Sequence, residues 1–248
     1  MLGGSHSYGL NTPTSDIDER FLYVHDTIED IVGLNKNVFI DNRSKVEDVY
    51  GSELKHFVLN LQRGNTQAIE MVYTHPKNFI EVHPVFINKI QRKSYFFIDA
   101  DKLYNSLRGY THNELRLANG ERTGDLGSKR KEALDKFGFS PKNFSHLLRL
   151  LHCGIAFFSF DDYPVNIMKY SKEIGEHLLD IKVNPQNHTK EKLNEEVQTL
   201  SARFEQVWKN NKNELIQQYT FNADKVNEIL FDIYYPILGK ISALKLGL

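Results

Sequence analysis

The stretch from Gly4 to Val24, GSHSYGLNTPTSDIDERFLYV, limits what this chain can become more than any other. It opens on a small-residue turn (Gly3, Gly4, Ser5), passes through a short polar loop, and reaches Asp16-Ile17-Asp18 just before the apolar run Phe21-Leu22-Tyr23-Val24. Such a run reads as a β-strand. Alternate side chains of a strand share a face, so Asp16 and Asp18 would project together, about 7 Å apart. Two neighbouring carboxylates repel each other unless a cation sits between them. Hard oxygen ligands suit Mg²⁺, which commonly takes one or two carboxylates and completes its shell with water and substrate phosphates. The glycine turn supplies the complementary part, backbone N–H groups that phosphate oxygens can approach closely. Gly-Gly-Ser alone is ordinarily a turn, and Asp-x-Asp alone an exposed strand end. Together on one short segment they form a nucleotide-handling constellation.

Gly4-Ser5, ten residues, then Asp16-x-Asp18 resembles the signature of the nucleotidyltransferase superfamily that includes DNA polymerase β. The fuller string is similar to one branch, the predicted nucleotidyltransferases of the RNA-repair-pathway polymerase-β-like family. In that family a helix and a first sheet strand precede the turn, whereas here only Met1, Leu2 and Gly3 do. The sheet is therefore expected to be reduced, or completed by a partner or a second copy of the chain.

Composition sets outer bounds. With 248 residues the chain can hold one large domain or two small ones. Its 40% hydrophobic and 25% charged content is that of an ordinary soluble globular protein. A formal net charge of −1 argues against a sequence-blind nucleic-acid coat and leaves room for a local basic groove. The single cysteine, Cys153, excludes an intramolecular disulfide and a Cys-rich zinc site. No apolar run approaches a membrane span, and the start lacks a secretory pattern, so a cytoplasmic protein without membrane attachment is expected.

After a strand at about 17–25, residues 26–44 read as an Asp- and Asn-rich connection containing the apolar piece Val38-Phe39-Ile40. Lys45–Tyr50 is a candidate second strand. Ser52 is a candidate cap for a helix from Glu53 to about Arg63, whose Leu54, Phe57, Val58 and Leu61 recur at helical spacing, with Gly64 as its stop. A further helical run spans Thr66–Tyr73. The resemblance extends through EDVYGSELKHFVLNLQRGNTQAIEMVY and implies a third carboxylate on a strand beside the first. Asp48 is that residue, with Glu47 the alternative on the opposite strand face. Glu70 falls at an acidic position of the family and is expected to support structure rather than bind metal.

Beyond Pro76 the pattern is helical: a short amphipathic piece at 86–93, a helix at 98–117, a Gly- and charge-rich flexible loop at 118–129, and a long helix at 190–217. A last helix from about Asp224 to Leu246 is expected to kink at Pro236. From Arg108 to Arg149 nine basic residues face five acidic ones, a local excess in a near-neutral chain. Ser140-Pro141 is a helix start, Ser as cap and Pro in the first turn. Lys142, His146 and Arg149 then fall within an arc of about 60°, opposite Phe144, Leu147, Leu148, Leu151 and Ile155. Such an arc is either a solvated basic face or a row of phosphate donors. GSKRKEALDKFGFSPKNFSHLLRLL also resembles the family, which implies Lys142 as triphosphate ligand with His146 and Arg149 as supporting donors.

The expected fold is α+β (or α/β): a small mixed sheet with flanking helices in an N-terminally shortened core over 1–80, then a helical domain over 81–248 that completes the active-site cleft. The resemblance implies transfer of a nucleoside monophosphate from a nucleoside triphosphate to a hydroxyl acceptor, with pyrophosphate released. Asp16, Asp18 and Asp48 would hold two Mg²⁺ ions, Mn²⁺ being the alternative, while Gly4 and Ser5 bind phosphate. By the family's name the acceptor is RNA (a tRNA or a broken RNA end), with a protein as the alternative. Two competing readings are an inactive nucleotide- or RNA-binding module or antitoxin-like partner, and a metal-dependent phosphoester hydrolase.

Overall fold

A computed structural model describes residues 1–25, 27, 39–43, 47–121 and 128–246. In chain order they form α1 (Gly4–Tyr8), β1 (Ile17–Tyr23), β2 (Phe39–Arg43), β3 (Glu47–Glu53), α2 (Leu54–Gln62), α3 (Thr66–Tyr73), α4 (Ala100–Ala118), α5 (Ser128–Phe137), α6 (Pro141–Phe160), α7 (Ile167–Tyr170), α8 (Lys172–Val183), α9 (Lys190–Gln218) and α10 (Ala223–Leu246). This is the expected α+β arrangement, a small mixed sheet with flanking helices and a largely helical remainder. The chain divides into two compact units, one of residues 1–7, 13–103 and 216–248, the other of residues 8–12 and 104–215.

In the first unit the sheet order is β1-β3-β2, with β1 parallel and β2 antiparallel to β3. The expected second strand is β3; Lys45 and Val46 of that expectation lie outside the described residues. Phe39 and Ile40, read from the sequence only as an apolar piece of a connection, belong to β2. Their ladder partner lies ten or more residues on in β3 and has no signature in the local pattern. Residues 1–3 pair along the other edge of β1, through a Leu2–Glu19 bridge. The Met1 nitrogen donates to the Arg20 carbonyl (2.8 Å), Arg20 N–H to the Met1 carbonyl (2.9 Å) and Gly3 N–H to the Asp18 carbonyl (2.7 Å).

Helix α2 buries Leu54, Phe57, Val58 and Leu61, the positions its periodicity marks. Its cap is Glu53, not Ser52, because β3 runs on through residue 53. The Glu53 carboxylate accepts from the N–H groups of Lys55 (2.8 Å) and His56 (3.3 Å), and also from the Tyr234 hydroxyl of α10. Ser52 instead pairs with Nδ1 of His56 at 3.1 Å. Gly64 ends the helix in the left-handed region (φ 70°), where an added Cβ would stand 2.5 Å from the Leu103 backbone. Asn65 caps α3. The short amphipathic piece at 86–93 is a π-helical turn, Phe86–Ile90, followed by a 3₁₀ segment. Pro236 sits inside α10, which buries Val226, Ile229 and Tyr234.

The second unit is built on α6, whose residues from Phe144 to Phe158 are buried apart from His146 and His152. The Tyr104 ring of α4 stacks on Trp208 (centroids 4.6 Å apart) and Phe204 (5.4 Å), and Phe158 meets Trp208 edge-on. Ser140 precedes α6 as predicted but makes no cap bond with its side chain. Its hydroxyl donates to Oδ1 of Asn143 (2.6 Å), whose amide donates to Glu114 (2.7 Å), so the polar groups at this buried helix start satisfy one another. Helices α8 and α9 are clipped by His177–Glu196 (3.0 Å), and His188 meets Asp180 at 2.8 Å. Half of the expected flexible loop at 118–129, namely 122–127, lies outside the described residues.

Candidate active site

Parallel pairing places Asp18 directly beside Asp48. Residues in register on neighbouring strands have the same side-chain parity, so the two carboxylates share one sheet face. Glu47 stands in register with Ile17, one position before the Asp18–Asp48 pair. Along β1 the half-buried positions are Asp18, Arg20 and Leu22, and the exposed ones Ile17, Glu19 and Phe21. Arg20 pairs with Glu70 of α3 at 2.9 Å, both side chains largely buried. Glu70 thus has the structural role expected of it. Asp16 lies one residue before β1 and is exposed.

The Gly-Ser turn is the beginning of the five-residue helix α1 rather than an open turn. Gly4 has φ 54°, and a Cβ there would lie 1.7 Å from Oδ2 of Asp18. Two independent constraints therefore demand glycine: the left-handed backbone, and the carboxylate standing where a side chain would begin. The first N–H groups of a helix have no partner within it. Gly4 and Ser5 hold that position, Ser5 half-exposed beside it.

In the second unit the three basic residues of α6 do not form one exposed row. Lys142 is exposed and His146 half-buried, but Arg149 has no exposed surface. Its guanidinium lies 3.5 Å over the Tyr8 ring centroid, with Nη2 3.5 Å from Nδ1 of His146 and Nη1 3.8 Å from Sγ of Cys153. His146 also stands between the rings of Tyr8 (6.3 Å) and Tyr110 (5.9 Å). Helical periodicity identifies a face and does not say what covers it. Here Tyr8 of the signature stretch covers Arg149, while its neighbours are anchored on α7 and α8: Gly9 (φ 72°) would place a Cβ 2.8 Å from both Asn166 Oδ1 and Met168 Cβ, and the Leu10 carbonyl accepts from Nζ of Lys182 at 2.9 Å. The stacking of Tyr8 on Arg149 was not legible in the sequence. The Tyr8-Gly9 pair inside the signature was the available signal, an aromatic beside a glycine where only a polar loop was read.

Among the described residues no group of three or more His, Cys, Asp or Glu side chains is gathered so as to hold a metal ion. Two adjacent carboxylates on rigid strands nevertheless fit the modest protein share that Mg²⁺ asks for, the rest of its shell being water and phosphate. Among the described residues no helix is long and apolar enough to cross a membrane. The model of the RNA repair pathway DNA polymerase beta family matches residues 1–123. No curated protein and no solved structure matches the chain.

Proposed function

We propose, from the match of residues 1–123 to the RNA repair pathway DNA polymerase beta family, that the chain is a metal-dependent nucleotidyltransferase acting in the cytoplasm. The observation that carries the reading is the register of Asp18 with Asp48, beside a glycine whose Cβ position the Asp18 carboxylate occupies. In the proposed reaction an acceptor hydroxyl oxygen attacks the α-phosphorus of a nucleoside triphosphate. The bond from that phosphorus to the bridging oxygen breaks, pyrophosphate leaves with the electron pair, and the acceptor proton passes to solvent.

Asp16 and Asp18 would hold both Mg²⁺ ions and Asp48 the one nearer the acceptor. Bound there, the ions would supply charge neutralisation at the attacking and leaving oxygens. The strand backbone fixes Asp18 and Asp48 so that little reorganisation accompanies the reaction. Gly4 and Ser5 offer N–H groups to phosphate oxygens. In the second unit Lys142 is the proposed phosphate ligand; Arg149, enclosed, supports it indirectly by holding Tyr8 and His146 in place. The family name supports RNA as the acceptor.

The test is transfer of label from each α-³²P nucleoside triphosphate to RNA, to protein or to the chain itself, with Mg²⁺ or Mn²⁺, beside an Asp16→Ala/Asp18→Ala variant. Label that appears with the native chain and vanishes with the variant supports the transferase and names the acceptor class. Nucleotide binding without transfer to any acceptor would overturn it in favour of a binding module, and released inorganic phosphate or shortened RNA in favour of a hydrolase.

A further inference from the structure

We propose that the cleft between α4 and α9, floored by α6, holds a small elongated ligand with an apolar body and one acidic head, an aromatic or medium-chain carboxylate. The cleft lies wholly within the second unit and is independent of the proposed transfer reaction. The two helices are joined at both of its ends. At one end the Tyr104 ring stacks on Phe204 and Trp208, and its hydroxyl donates to Glu205. At the other, the Asn119 and Asn194 amides exchange hydrogen bonds (3.0 and 3.1 Å), and Nζ of Lys190 donates to the Asn119 carbonyl (3.0 Å). Between these links the helices stand apart over Leu147 and Leu151 and leave a volume of about 430 Å³. That is the size of a small-molecule pocket, and the space between packed helices is a common place for one.

The walls account for both the space and the ligand. Gly109 sits in the middle of α4, where glycine costs stability relative to alanine, yet a Cβ there would meet no atom within 4 Å. Close packing therefore does not explain this glycine. The missing side chain, with the small Ser201 on the α9 wall, keeps the middle of the cleft open. One end of the lining is apolar, Leu115 and Val197 beside the two floor leucines. The other end is polar, where Nε of Arg108 lies 3.3 Å from Oε1 of Glu205. Glu205 also accepts from Tyr104, and the Thr111 hydroxyl is turned back on the Leu107 and Arg108 carbonyls (2.9 and 3.1 Å). What this end still offers a ligand is hydrogen-bond donors. Arg108 spends Nε on Glu205 out of five guanidinium N–H groups, and His112 follows one turn later on the same helix face. Arg108 and Leu115 are two turns apart, about 10 Å along the axis, which sets the length of the ligand.

The probe is anilinonaphthalene sulfonate, titrated by fluorescence into the full chain, with the neutral phenylnaphthylamine beside it. The sulfonate should bind saturably and be displaced by octanoate or naphthoate. Gly109→Phe fills the cleft from a position with room for a side chain, so it should raise the thermal midpoint and weaken binding of both dyes at least about tenfold. Arg108→Gln should weaken the sulfonate about tenfold and leave the neutral dye unchanged. Absence of binding to the native chain, native-like binding by Gly109→Phe, or equal affinity of the native and Arg108→Gln chains for the sulfonate would overturn the proposal. So would a lowered midpoint in Gly109→Phe, because the space would then not be open. Displacement of the dye by ATP but by neither carboxylate would overturn the ligand class, the cleft then being part of a nucleotide site.

Discussion

Gly4 carries more constraint than its size suggests. Alanine there would meet both a left-handed backbone (φ 54°) and the Asp18 carboxylate. The backbone conflict alone costs about 1–2 kcal/mol, and the added methyl must displace Asp18 from its place beside Asp48. Gly4→Ala should therefore lower the thermal midpoint modestly and abolish label transfer, while Ser5→Ala, with the backbone amides intact, should keep most of the activity. Equal losses from the two variants would remove the argument from Gly4. Arg149 makes the opposite case, a charge with no exposed surface that relies on the Tyr8 ring and on His146. Lysine cannot reproduce the planar stacking. Arg149→Lys should cost about 2 kcal/mol of stability in urea unfolding.

Polar links also join one element to another. Arg20 of β1 and Glu70 of α3 tie sheet to helix in a buried pair, so Glu70→Ala removes the carboxylate from a largely buried cation and should cost about 3 kcal/mol. The link between α8 and α9 is pH-dependent. The hydrogen bond from His177 to Glu196, more than burial opposes it, holds the His177 pKa above its ordinary value. A folded pKa above the unfolded value of about 6.5 gives stability that is fully present below that value and is lost as pH rises through the raised one. His152 has the opposite sign: burial lowers its pKa, so its contribution weakens on acidification below about 6.5. Melting curves from pH 5.5 to 8.5 should show a fall on the alkaline side in the native chain that His177→Gln lacks. An unchanged fall would locate its origin elsewhere. These links were not legible in the sequence, because each joins residues on separate elements. What was legible is local: the period-2 strand at β1, the 3.6 period of α2, α3 and α9, and the glycine after α2. The covering of Arg149 was invisible for the same reason, since Tyr8 lies far from it in the chain. The strand pairing of Asp18 with Asp48 was foreseen only through resemblance to a family.

For the molecule as a whole, the paired carboxylates set function against stability. Asp18 and Asp48 stand in register, and like charges directly opposite each other destabilise a sheet. At a separation of about 5 Å in a partly solvated setting the repulsion is on the order of 1 kcal/mol. Asp48→Asn should accordingly raise the thermal midpoint of the metal-free protein by a few degrees while abolishing transfer, the signature of a group retained for chemistry rather than for folding. Mg²⁺ should reverse the order: an ion held by the folded state and not by the unfolded one stabilises by mass action, so the native chain should gain stability and the variant should stay almost unmoved. Calorimetric melts of both proteins with chelator and with millimolar Mg²⁺ make the comparison directly. A metal-free variant less stable than the native chain would mean that Asp48 is held by structural partners. A native chain indifferent to Mg²⁺ would mean that the two carboxylates do not bind the ion before nucleotide arrives, which places the phosphates first in the order of assembly.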